Sequence, residues 1–108
     1  MSIAFEVLAE PTRRRILDLL RDDERPVGDL VDQLALSQPA VSKHLRVLRD
    51  AGLVEARVDA QRRVYRLCPD PLREVDAWLA PYRAMWAERL DLLEAHLDTM
   101  PDDPPGGP

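Results

Sequence analysis

The stretch Ser37 to Asp50, SQPAVSKHLRVLRD, constrains the fold more than any other part of the chain. Ser37 is placed to cap a helix by accepting a bond from a free backbone N–H. Pro39 follows in the first turn, where its missing donor costs nothing. Val41, Leu45 and Leu48 recur at i, i+4 and i+7, so one stripe of this helix is buried. Pro39, Ser42, Lys43, Arg46 and Asp50 lie opposite that stripe, with Gln38 and Arg49 on its flank. The outer face therefore carries an amide, a hydroxyl and long cations, the groups that read base edges and hold phosphates.

The flanking segments fix the context. Val27 to Leu34 (VGDLVDQL) reads as a short helix with Leu30, Val31 and Leu34 on one side, and Ala35-Leu36-Ser37 makes a turn. Helix, tight turn and second helix is the layout that places the second helix in a major groove. Ala51-Gly52-Leu53 is a stop signal, glycine being the usual left-handed cap. Leu53–Arg57 (LVEAR) and Arg63–Leu67 (RVYRL) then alternate apolar and polar residues as a hairpin does. The spacing predicts a mainly α fold with a β-hairpin wing, a winged helix-turn-helix. The intervening Asp59-Ala60-Gln61-Arg62 lacks the glycine or asparagine of a two-residue primed turn, so a longer, looser tip is expected.

These residues also carry a resemblance. SQPAVSKHLRVLRDAGLV, with PTRRRILDLL upstream and RRVYRL downstream, resembles the ArsR family of small bacterial winged-helix repressors, over roughly residues 3 to 98. WLAPYRAMW is similar to a subgroup of that family without the usual metal sites. The resemblance implies a homodimer that binds a palindromic operator and represses. Many metal-sensing relatives carry a Cys-x-Cys pair at the start of the first helix of the motif; aligned on Asp29-Leu30, those positions hold Pro26 and Gly28. Relatives with a zinc site on the last helix use an Asp-x-His pair and a second histidine about ten residues on. Glu94, His96 and Asp98 lead instead into a segment with no histidine. No metal and no cofactor is expected.

At 108 residues one domain is expected, residues 1–100, with the Pro/Gly/Asp-only residues 101–108 as a disordered tail. No run of about 18 apolar residues occurs, so no membrane span is expected. The first ten residues carry acids and no basic start, unlike a signal peptide. A single cysteine fits a reducing cytoplasm. Cys68 is expected to be a packed small hydrophobe, with redox sensing the minor reading.

The net charge of −5 by itself disfavours nucleic acid, but its distribution does not. Residues 37–67 hold seven Lys/Arg against three Asp/Glu; residues 1–36 hold five against eight, and residues 68–108 hold three against nine. The proposed helix and wing are the positive part of an acidic chain, and the local field is what DNA meets. The candidate DNA-binding residues are Gln38, Pro39, Ser42, Lys43, Arg46, Arg62 and Arg63. Arg57 and Arg66 decorate the same hairpin and are weaker candidates. His44 is expected to pack against the first helix of the motif.

The remaining segments are read for support. Glu10-Pro11-Thr12 starts a helix that buries Ile16, Leu17 and Leu20; glutamate caps poorly, so fraying is expected. Arg14 can pair with Asp18 one turn on. Residues 22–26 form a polar linker. Asp70-Pro71 opens a long helix with apolar residues at Leu72, Val75, Leu79, Tyr82, Trp86, Leu90, Leu93 and Leu97, nearly a heptad seam, and a second stripe at Trp78, Met85 and Leu92. Two apolar stripes exceed what one small protomer buries, so dimerisation through the N- and C-terminal helices is expected, with Phe5, Leu79, Tyr82, Trp86, Leu90, Leu93 and Leu97 at the interface. Pro81 predicts a kink or break near Ala80.

No glycine-rich phosphate loop or G-x-S-x-G occurs, and two histidines offer no obvious catalytic pair, so no enzyme is expected. The working expectation is a sequence-specific DNA-binding regulator with helix 37–50 in the major groove and wing 53–67 on flanking backbone. Its rivals are a sensor of the same fold that releases DNA on meeting a small-molecule or redox effector, and a winged helix used only for protein–protein contact.

Overall fold

The computed structural model describes residues 3–99, with the side chain of Ile3 left aside. The tail expected at residues 101–108 lies outside the described residues. The elements run α1 (Ile3–Leu8), α2 (Pro11–Arg21), β1 (Arg25–Pro26), α3 (Val27–Leu34), α4 (Gln38–Asp50), β2 (Val54–Asp59), β3 (Arg62–Leu67) and α5 (Leu72–Thr99). Two compact units divide between Asp76 and Ala77, inside α5.

The core of the first unit is where the amphipathic stripes converge. Ile16, Leu17 and Leu20 of α2, Leu30 and Leu34 of α3, and Val41, Leu45 and Leu48 of α4 are buried together with Leu53, Val54 and Tyr65 of the wing. Helix α4 ends in a Schellman arrangement. The Gly52 N–H donates to the Arg49 carbonyl at 2.9 Å, and the Leu53 N–H donates to the Leu48 carbonyl at 2.9 Å. Gly52 sits at φ +76, where a side chain is strained. The turn between α3 and α4 relies on Ala35 at φ 55, ψ 40, whose N–H donates to the Val31 carbonyl.

The sheet has three strands in the order β1-β3-β2. The third was not legible: the segment expected to be a polar linker places Arg25 and Pro26 opposite Tyr65 and Val64 on β3. A proline is tolerated there because β1 is an edge strand. Arg25 fixes the segment by donating to the Leu19 carbonyl at 2.8 Å and to Asp29 Oδ2 at 2.6 Å.

The wing tip is tight rather than loose. Pairing continues without a break from Val54↔Leu67 to Asp59↔Arg62, leaving only Ala60 and Gln61 in the turn. Ala60 takes φ 56 to close it. Continuous pairing of the two strands outweighs the roughly 1–2 kcal/mol that a left-handed alanine costs. Ala60→Gly should therefore raise stability by roughly 0.5–1 kcal/mol, after glycine's extra unfolded-state freedom is subtracted. A lowered urea midpoint would contradict the strain assigned to this residue.

Three further local expectations are corrected. The Glu10 side chain does cap α2: Oε2 accepts from the Arg13 N–H at 3.2 Å. Partial burial opposes its charge, but backbone N–H bonds from Thr12 and Arg13 and the nearby His44 and Arg13 hold its carboxyl below the usual range. Arg14 turns away from Asp18 and donates to the Leu8 and Ala9 carbonyls at 2.7 and 3.3 Å, because orphan acceptors at the end of α1 attract it more than a solvated carboxylate. Of the kink or break expected at Pro81, the break does not occur: helix α5 runs from Leu72 to Thr99 with the proline inside it. The proline removes one backbone donor, and the rest of the ladder carries the helix through.

Candidate nucleic-acid interface

Ser37 stands just outside α4 in extended conformation, and its Oγ accepts from the Ala40 N–H at 3.3 Å. Pro39 lies within the first turn. Val41, Leu45 and Leu48 are buried, while Gln38, Pro39, Ser42, Lys43, Arg46, Arg49 and Asp50 are exposed. An open groove separates α4 from the wing. Its α4 wall is Gln38, Ser42, Arg46, Arg49 and Asp50; its wing wall is Gln61, Arg62, Arg63 and Tyr65; Pro26, Val27 and Gly28 also line it.

Of the residues singled out by sequence, Gln38, Ser42, Arg46, Arg62 and Arg63 line this groove together. Pro39 and Lys43 are exposed on α4 but lie outside the groove lining. The groove wall follows i, i+4, i+8 and i+11 from Gln38 to Arg49. It takes in the flank that carries Gln38 and Arg49 together with part of the face opposite the buried stripe, so Arg49 joins the candidates named from sequence. Gln61 was missed because only the tight turn aims it at α4.

Ion pairs sort the cations. Arg57 pairs with Glu24, just before β1, and Arg66 pairs with Glu55 of β2, so both spend their charge on carboxylates of the same unit. The Arg57 hydrogen bond to Glu24 lowers that carboxyl's pKa and raises that of the guanidinium. Arg62 meets Asp59 at 3.4 Å in an exposed pair, a weak restraint. Among the described residues, Lys43, Arg46, Arg49 and Arg63 are in no ion pair. Those four are exposed, so their charge is available to an external anion.

His44 meets α2 rather than α3. Its Nδ1 accepts from Arg13 Nε at 3.4 Å and lies 3.7 Å from Glu10 Oε2. Arg13 also donates to the Val7 carbonyl at 3.4 Å. The side chain thus anchors α4 to the start of α2 and takes no part in the groove. Cys68 is half-buried, and burial, followed by the charge and hydrogen bond of Glu55, pushes its thiol pKa up. A redox sensor needs the opposite shift.

The residues assigned to a dimer interface fall on two helices. Phe5 is half-buried on α1, and Leu79 is partly exposed on α5. Tyr82, Trp86, Leu90, Leu93 and Leu97 are exposed on α5, as are Trp78, Met85 and Leu92. The Trp78 and Tyr82 rings stack at a tilt, their centroids 5.1 Å apart. Among the described residues, no helix is long and apolar enough to cross a membrane.

A helix-turn-helix, a hairpin behind it and a cation-lined groove between the two define a winged-helix DNA-binding protein. Comparison with known proteins narrows the class. The family described as bacterial regulatory protein, arsR family, matches residues 10–56. The HTH-type transcriptional regulator Rv2034 of Mycobacterium tuberculosis is 38% identical over 100 residues, covering 93% of this chain and 91% of that protein. The transcriptional repressor SdpR of Bacillus subtilis is 32% identical over 79 residues, covering 73% of this chain and 88% of its own. Among solved structures, an ArsR-like transcriptional regulator from Rhodococcus sp. RHA1 superposes with a TM-score of 0.69 at 28% identity, covering 92% of this chain and 91% of that one. The chain belongs to the ArsR family: it is a winged-helix transcriptional regulator that binds DNA, and it is not an enzyme.

Proposed function

We propose that the protein is a cytoplasmic homodimeric repressor that binds an inverted-repeat operator. Helix α4 enters the major groove, and the wing grips the flanking backbone or an adjoining minor groove. Gln38, Ser42 and Lys43 read base edges, Pro39 sets the entry of the helix, and Arg46 holds phosphate or guanine. Arg62 and Arg63 supply the wing contact. Two-fold symmetry sets the half-sites about one helical turn apart, roughly 34 Å. Phe5 and the apolar face of α5 from Leu79 to Leu97 hold the two copies together.

The observation that carries this reading is the arrangement of charge. Lys43, Arg46 and Arg49 on α4 and Arg63 on the wing are exposed and, among the described residues, in no ion pair; three of the four line one groove, and residues 37–67 are net positive in a chain that is acidic as a whole. Such a surface attracts a polyanion locally and repels it elsewhere.

The test is a salt titration on duplex DNA selected by the protein from a random pool. A dimer that neutralises about six phosphates gives a slope of log K against log salt near −5. Arg46→Ala should weaken binding by about 1–3 kcal/mol if it holds guanine, relaxing preference at one position of each half-site. A flat salt response, or a failure of selection to enrich any sequence, would remove the DNA-reading mechanism.

A further inference from the structure

One residue of the groove runs against everything around it. Asp50 lines the wall that holds Arg46 and Arg49, opposite Arg62 and Arg63. Its side chain is exposed and, among the described residues, in no ion pair. It is also the last residue of α4, where the negative end of the helix dipole disfavours a carboxylate. Asp50 thus breaks the helix-end rule and, though guanidinium groups line the same groove, has no ion-paired partner among the described residues. Residues that do so tend to sit at functional sites.

We propose that Asp50 is a specificity-determining residue that penalises indiscriminate DNA binding, an inference resting on the DNA-reading function above. A carboxylate accepts hydrogen bonds and repels phosphate. The cations of the groove supply sequence-independent attraction, which by itself holds the protein on any duplex. Asp50 subtracts from that share wherever a phosphate lies against the end of α4. A duplex whose local shape presents a base amine or water there escapes the penalty. Discrimination then comes from an element built against the wrong partner as well as contacts built for the right one. At about 6 Å in water, one such repulsion weakens binding roughly threefold, and roughly tenfold for a symmetric pair.

The experiment compares Asp50→Asn and Asp50→Glu with the unaltered protein on two duplexes, one selected from a random pool and one a shuffled sequence of equal composition. Asp50→Asn should tighten binding to the shuffled duplex about tenfold and to the selected duplex no more than twofold, so the ratio of affinities falls about fivefold or more. Asp50→Glu, which keeps the charge, should hold the ratio within twofold. Circular dichroism checks the fold, and relief of the helix end should leave Asp50→Asn at least as heat-stable as the parent. Equal tightening on both duplexes, no change on either, or a loss confined to the selected duplex would overturn the proposal. Failure of the parent protein to distinguish the two duplexes would instead strike the DNA-reading function itself.

Discussion

Leu90→Asp should give a monomer at micromolar concentration and lower operator affinity about a thousandfold. The reason lies in how much apolar surface α5 leaves in water. Leu90 and Leu92 are each 64% exposed, and Trp78, Tyr82, Met85, Trp86, Leu93 and Leu97 are exposed on the same helix. Contiguous apolar surface on that scale marks an interaction site. The 3–4 spacing from Leu79 to Leu97 suits a second helix laid along it. An aspartate at the seam must either break the pairing or lie unpaired in an apolar interface, which costs about 3–5 kcal/mol. In the proposed dimer, loss of the second protomer also removes the second half-site contact. That forfeits an effective-concentration advantage of about 10²–10⁴ in binding without altering any single groove residue. Because Leu90 is solvent-exposed in the protomer, the winged helix itself should keep its circular dichroism. Sedimentation that still shows a dimer at 10 μM (roughly the scale where weak dimers separate), or operator affinity within tenfold of the parent, would remove α5 as the dimer-forming element.

The parts of this molecule that sequence revealed are those specified within a few residues. Ser37, the Val41–Leu45–Leu48 spacing and Gly52 delimit α4 to the residue because a cap, a stripe and a left-handed stop each act over a single turn. Helix α3 and both wing strands follow from equally local patterns. What stayed hidden depends on partners far along the chain. Arg25 and Pro26 become a strand only because Tyr65 and Val64 lie beside them. His44 and Arg13 meet across 31 positions, and Arg57 and Glu24 across 33. The same limit applied to the groove. A helical wheel finds the face opposite the core, but the wing decides which part of that surface becomes a wall, and so Arg49, Asp50 and Gln61 join Gln38, Ser42 and Arg46. The tip of the wing shows the complementary case. Local turn preference pointed to a loose loop, and unbroken strand pairing overrode it at the expense of one left-handed alanine.

Leu48→Ala should destabilise the protein by about 3–4 kcal/mol and lower its melting temperature by roughly 15 °C or more. Leu48 has no solvent exposure and belongs to the cluster shared by α2, α3, α4 and the wing. Truncation to alanine removes the transfer free energy of the lost carbons and leaves a cavity that close-packed neighbours fill only in part. Position adds to the loss. Leu48 and Leu53 are both fully buried in one cluster, on either side of the backbone bond from the Leu53 N–H to the Leu48 carbonyl that closes the end of α4, so apolar burial there supports the helix stop. That stop sets where β2 begins, and with it the distance between the recognition helix and the wing. A domain of this size holds only about 5–15 kcal/mol in reserve, so the substitution spends a large share of it. Leu48→Met, which nearly conserves volume, should cost less than about 1.5 kcal/mol. Leu36→Ala, at a position 36% exposed, should cost less still. Chemical denaturation at one fixed protomer concentration tests all three, since an assembling protein's apparent stability depends on concentration. A loss below about 1 kcal/mol for Leu48→Ala would mean that the end of α4 is held by something other than this burial.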